Sequence, residues 1–246
     1  MSILVTRPEP AASDIVRRLR SLGKTAWAMP LIEFAPGEEL PSLAEALSTL
    51  RAGDLLFALS QHAIHYAQPV LQHAKRRWPE NIRYYAVGRR TALALHSVCR
   101  EPVLSPPDRE TSEGLLQLPE LQDISGRRVL ILRGNGGREL LAETLQQRGA
   151  DVKFIECYQR QQKYYDGIQE YHRCRGRNIS TLVVTSGEML EQLYFLFSAE
   201  AHATWLLQCN LLVVSERLAE QARKFGWQHI TIASNANNDA LLHALL

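Results

Sequence analysis

The chain repeats itself, and the repeat restricts its fold more than any other feature. Ile3-Leu4-Val5-Thr6-Arg7-Pro8 is echoed by Val129-Leu130-Ile131-Leu132-Arg133-Gly134, with Arg7 and Arg133 lying 126 positions apart. Each is followed by an amphipathic stretch ending in glycine (Ile15 to Gly23, Leu140 to Gly149) and then by a second apolar run (Ala26 to Phe34, Val152 to Tyr158). Asp54 to Ser60 matches Thr181 to Ser186 at the same offset, 126 at the serine. Ala86 to Arg90 matches Val213 to Arg217 at 127, and Leu115-Leu116 matches Leu241-Leu242 at 126. Four units recurring in one order describe a duplicated half-chain.

Each unit is a short run of Val, Ile and Leu, a small polar turn and a helix-period segment. Apolar runs without alternation read as strands buried on both faces, and alternation with helices gives βαβ units with right-handed crossovers. Gly23, Gly149 and Gly226 supply helix stops. The expected fold is α/β: two similar open parallel-sheet, flavodoxin-like domains. The repeat by itself splits them near residue 125.

With 28 basic and 26 acidic side chains in 246 residues, the net charge is only +2. That argues against a nucleic-acid surface, which needs concentrated positive charge. No apolar run reaches the roughly 18 residues of a membrane span, and the N-terminus lacks a leader layout. A soluble, cytoplasmic protein is expected. Cys99, Cys157, Cys174 and Cys209 are scattered, which suits neither a metal site nor disulfides. The basic residues are 23 Arg and five Lys. Arginine forks suit an acidic ligand without establishing one.

Open parallel sheets bind ligands beyond the carboxyl ends of their strands. Those ends are the turns holding Arg7, then Ser60 and Gln61, then Gly88 and Thr91, then Arg133-Gly134-Asn135-Gly136-Gly137, then Thr185 and Ser186, then Ser215, and finally 234–238. Each opens a helix whose first N–H groups and dipole receive anions. Two facing domains would gather these turns around a cleft. The competing reading makes every Ser, Thr and Asn a plain helix cap. The glycine-rich turn is no dinucleotide fingerprint, since Glu139 stands where the third glycine belongs, and no Gly-Lys-Ser/Thr follows for a P-loop. Ser60 and Ser186 lack a GxSxG elbow. His62 and His65 read as surface polar residues, and Tyr158, taken alone, as a packing aromatic.

In their order, Leu4-Val5-Thr6-Arg7-Pro8, Pro30-Leu31-Ile32-Glu33-Phe34, Leu130 to Glu139, Glu156-Cys157-Tyr158-Gln159-Arg160, Val184 to Glu188 and Leu212 to Leu218 resemble the uroporphyrinogen-III synthase family, enterobacterial type, over essentially the whole chain. The resemblance implies closure of the linear tetrapyrrole hydroxymethylbilane to uroporphyrinogen III, with inversion of ring D and loss of water, and no metal or organic cofactor. It implies a discontinuous first domain (1–34 and 160–246), a second domain (37–155) and connectors at 35–36 and 156–159, with the cleft between the domains. It makes Tyr158 the general acid. Ser60, Thr91, Ser186 and Ser215 would hold carboxylates or order water, beside Arg7, Gln61, Gly88, Arg133, Gly134, Asn135, Gly136 and Thr185. Arg89 and Arg90 receive no role. A monomer that takes its substrate by handover from hydroxymethylbilane synthase, with no nucleic-acid or membrane partner, completes the expectation. The rival is a non-enzymatic two-domain binding protein for an acidic small molecule.

Overall fold

The computed structural model describes residues 2–137 and 139–246; Arg138 of the glycine-rich turn lies outside them. The chain divides into two compact units. Unit one runs to Glu33 and resumes over Gln161–Leu246, and unit two is Phe34–Arg160. The described strands, in chain order, are β1 (Ser2–Val5), β2 (Thr25–Ala28), β3 (Ile32–Pro36), β4 (Leu55–Ala58), β5 (Arg83–Ala86), β6 (Val103–Leu104), β7 (Arg128–Gly134), β8 (Asp151–Gln162), β9 (Ile179–Val183), β10 (Asn210–Val213) and β11 (Ile230–Ile232).

In unit one the sheet order is β2-β1-β9-β10-β11, with every adjacent pair parallel. In unit two it is β3-β8-β7-β4-β5-β6, parallel from β8 to β6. The sequence repeat maps one sheet onto the other. β1 and β2 correspond to β7 and β8, and β9, β10 and β11 correspond to β4, β5 and β6. Unit two therefore carries the same spatial order read from a permuted starting point, with β3 added at its edge.

Both sheets have apolar side chains on both faces, as buried parallel strands require. In β1, Leu4 joins one core cluster while Ile3 and Val5 join another. In β7, Leu130 and Leu132 face one cluster, with Val129 and Ile131 facing the other. β4 does the same, placing Leu56 and Ala58 against Leu55 and Phe57. Helices between strands cover these faces, and Gly23, Gly149 and Gly226 end three of them with φ of +74°, +83° and +108°. Only a residue without Cβ adopts such angles without strain.

The segments expected as connectors, 35–36 and 156–159, have strand structure. Residues 35–36 lie in β3 and residues 156–159 in β8. In unit one the Lys163 N–H donates to Leu31 O (2.8 Å), and in unit two the Gly37 N–H donates to Cys157 O (3.0 Å), an antiparallel pairing. Gly37 belongs there by contact, not flexibility. A β-carbon on it would lie 2.0 Å from Glu156 O.

In each sheet the connections run outward to opposite sides from one pair of neighbouring parallel strands, β1/β9 in unit one and β7/β4 in unit two. Ligand crevices of open α/β sheets form at the carboxyl ends of such pairs.

Candidate functional site

The β7/β4 crevice of unit two begins with Ser60. Its extended backbone (φ −160°, ψ 159°) closes the strand and starts the helix Gln61–His73, and its Oγ accepts the Ala63 N–H at 3.2 Å. The same Oγ donates to the Tyr158 hydroxyl at 3.0 Å. A phenol oxygen that receives this hydrogen keeps its own proton for another acceptor.

Tyr158 reaches this point through a β-bulge. Against β7, Arg133 pairs with Glu156 but Gly134 pairs with Tyr158, so Cys157 is one residue extra. Without it, successive side chains would point to opposite faces. With it, Cys157 is buried in the same core cluster against which Tyr158 packs. Bulges re-aim side chains in this way. A β-carbon on Gly134 would lie 2.5 Å from Tyr158 Cζ. The Asn135 N–H bonds Tyr158 O (3.0 Å), and the Asn135 amide bridges the Arg160 backbone, accepting its N–H at 2.6 Å and donating to its carbonyl at 3.3 Å.

Three aromatic rings surround the phenol. Phe34 stands 5.6 Å away edge-on, His62 at 5.5 Å and Tyr66 at 6.2 Å in near-parallel orientation, while Phe34 and His62 stack on each other at 3.9 Å. Burial, and then the charge of His65, lowers the His62 pKa from its ordinary value. The sequence alone makes His62 a surface polar residue and gives Tyr66 no role. The spacing of His62 and Tyr66, one helical turn apart and just after Ser60, was the available signal.

The other predicted residues divide by what they already touch. Arg133 donates to Glu139 (2.9 Å) and lies over the Phe154 ring at 4.0 Å, which engages its charge within unit two. Gln61 Nε2 bonds Arg90 O at 3.1 Å. Gly134 lies beneath the tyrosine, and Gly136, at φ +79° with no atom within 4 Å of a notional β-carbon, serves the turn itself. Gly88 caps the helix Arg89–Cys99, and the carboxylate that sits there is the chain's own. Glu110 Oε1 accepts the Arg89 N–H at 3.3 Å. Thr91 is buried in that helix's first turn.

In unit one, Ser186 and Ser215 are helix caps, accepting from Met189 N–H and Leu218 N–H, each at 3.3 Å. Thr185 directly precedes Ser186 in the turn after β9. Arg7 leaves the end of β1 at the crevice. Its guanidinium donates to Asn238 Oδ1, its buried Nε has no partner, and among the described residues no carboxylate lies within ion-pair distance. Burial lowers its pKa from the ordinary value.

The family model described as Uroporphyrinogen-III synthase HemD matches residues 13–243. The uroporphyrinogen-III synthase of Escherichia coli is 59% identical over 245 residues, covering 100% of both chains. This chain belongs to the uroporphyrinogen-III synthase family. The corresponding protein of Salmonella typhimurium is 60% identical over the same length, with both chains fully covered. Among solved structures, a mutant uroporphyrinogen III synthase from Thermus thermophilus aligns with a TM-score of 0.61 at 16% identity, over 99% of this chain and 97% of that one. The Helicobacter pylori enzyme aligns at 0.58 and 18%, over 98% and 96%. These distant structures share the fold. The full-length relatives make the chain an enzyme of tetrapyrrole biosynthesis, cyclising hydroxymethylbilane to uroporphyrinogen III, and set aside the binding protein without chemistry. Among the described residues no helix is long and apolar enough to cross a membrane.

Proposed function

We propose that Tyr158 is the general acid of the cyclisation and that the β7/β4 crevice of unit two receives the hydroxymethyl end of the substrate. The C–O bond breaks, the electron pair leaves with oxygen, and the Tyr158 proton completes the departing water. The pyrrole nitrogen supplies the electron push. A positioned acid accelerates such a step by about 10²–10⁴-fold. The Ser60 hydroxyl, polarised by the helix N-terminus on which it caps, stabilises the phenolate that forms. What supports the reading is the Ser60–Tyr158 hydrogen bond of 3.0 Å, which leaves the phenolic proton without an acceptor among the described residues.

The substrate is a polycarboxylate, and the unneutralised Arg7 guanidinium is the strongest carboxylate receptor among the predicted residues. The amides at the helix starts after Ser186 and Ser215 assist it, with Thr185 supplying a hydroxyl. The enzyme works as a cytoplasmic monomer and takes hydroxymethylbilane from the synthase that makes it.

Hydroxymethylbilane supplied to the purified chain separates the outcomes, because spontaneous closure gives isomer I. The intact protein yields isomer III, and Tyr158→Phe lowers its rate about tenfold or more with an unchanged circular-dichroism spectrum. Full isomer III turnover by that variant would remove Tyr158 from the mechanism.

A further inference from the structure

His62 stands out as the titratable group beside Tyr158 whose ring is held but whose chemistry is unused. Its ring is fixed by stacking on Phe34 at 3.9 Å and lies 5.5 Å from the phenol ring, centroid to centroid. Its side chain is half-buried, and neither ring nitrogen is among the buried polar atoms without a partner. Its known contacts within the site are through the ring face. No hydrogen bond within the described residues engages either nitrogen.

We propose that His62 is a second catalytic residue, the base that accepts the pyrrole N–H proton of the ring from which Tyr158 expels water. The hydroxymethyl oxygen and the nitrogen of one pyrrole are separated by three bonds, so an acid and a base on adjoining rings can address both. The deduction rests on the assignment of Tyr158 as the acid.

The protons balance. As the C–O bond breaks, Tyr158 gives its proton to oxygen and His62 takes the proton from nitrogen, leaving a neutral azafulvene instead of a cation. When the exocyclic carbon bonds the substituted α-carbon of ring D, His62 returns its proton to that nitrogen; the bond from that carbon to its original methylene then breaks, and the methylene re-bonds at the free α-carbon of the inverted ring. The hydrogen lost from the ring D α-carbon restores the phenol. Water is the net product, and both residues end as they began.

The setting keeps His62 in the form a base needs. It is the second residue of the helix Gln61–His73, where the dipole opposes a positive charge. The groups that act on it are Phe34 from β3, Tyr158 from β8 and the charge of His65 from its own helix, with no carboxylate among them. Its pKa, lowered by burial and by His65, leaves the imidazole neutral through the neutral range and protonated only below the ordinary histidine range. The rate of isomer III formation therefore falls on the acid side as His62 gains a proton.

The test compares pH profiles of kcat/KM for isomer III formation in the intact enzyme, His62→Phe, His62→Gln and Tyr158→Phe. His62→Phe preserves the stack and removes the base; His62→Gln carries the test if the first variant does not fold. Either variant is expected to lose about tenfold or more at neutral pH and to lose the acid-side fall. Tyr158→Phe is expected to lower the plateau and keep that fall. Wild-type rates in a folded His62 variant, or a slowed variant that keeps the acid-side fall, would overturn the proposal. Failure of Tyr158→Phe to slow the reaction would instead overturn the acid assignment.

Discussion

Gly134 and Tyr158 are in direct contact, Cα against ring, with no room for a side chain between them. A β-carbon would approach Tyr158 Cζ to 2.5 Å, Cε2 to 2.6 Å and the hydroxyl oxygen to 2.9 Å. The glycine is the floor on which the phenol lies. Gly134→Ala should push the ring off Ser60 without opening the core, because β7 stays paired on both sides. The expected outcome is a fall in kcat of about tenfold or more, since misplacing a catalytic group by an ångström is that costly. Steady-state kinetics beside a thermal melt checks it; normal kcat would show that the ring has another resting place.

Ser60 does two things through one oxygen, and they can be separated. Removing it with Ser60→Ala takes away a helix cap, which costs about 0.5–2 kcal/mol. Asp166→Ala takes away a cap of the same kind, since Asp166 accepts from Ile168 N–H and Gln169 N–H far along the chain. The two variants should lose similar stability in denaturant titrations. Only Ser60→Ala should also lose kcat, by about tenfold or more, through the phenol it no longer supports.

The fold was legible because the repeat and the apolar runs are local signals, and the strand set followed from them with little ambiguity. The turns were legible for the same reason. Ser60, Ser186 and Ser215 do stand at strand ends, where they cap helices as the plainer reading expected. What could not be read was set by long-range geometry. The extra residue Cys157 that re-aims Tyr158 is invisible in Glu156-Cys157-Tyr158, because a bulge exists only relative to its partner strand. Gly37, next to the expected connector, proved to be a close contact with β8. His62 looked like a surface residue because its stacking partner, Phe34, is distant in sequence.

Cys157, next to the acid, should be chemically silent. Burial pushes its thiol up to about 12, does the same for Cys174, and raises Cys209 to about 11. The thiolate is the reactive form, so these three resist alkylation while the fold holds. Cys99 is raised too, but is only partly buried. Iodoacetamide on the native enzyme at mildly alkaline pH should label Cys99 first and leave activity intact, as peptide mass mapping would show.

The glycine-rich turn invites a ligand-binding role for Gly136, and the structure redirects that prediction. Nothing lies near its notional β-carbon, but its φ is +79°. A β-branched residue is strained there whatever the space, at about 1–3 kcal/mol. Gly136→Val should therefore lower the denaturant midpoint while product affinity changes little. An affinity loss with an unchanged midpoint would return the residue to the binding surface.

Arg7 offers the sharpest test of carboxylate recognition in unit one. It differs from Arg133, its counterpart in the repeat, in having no carboxylate partner among the described residues: Arg133 holds Glu139 at 2.9 Å, whereas Arg7 bonds the neutral Asn238 amide. A half-buried guanidinium is costly to desolvate, and an arriving carboxylate would relieve that cost while pairing with its fork. Arg7→Gln should then raise KM by about tenfold, the size of a charge-assisted hydrogen bond, with a much smaller change in kcat. Arg7→Lys should recover only part of it, because a point charge cannot pair bidentately. Added salt should weaken binding by the wild type more than by Arg7→Gln, since screening acts on the charge that the variant lacks. Equal salt dependence in the two proteins would show that the substrate's carboxylates are held elsewhere.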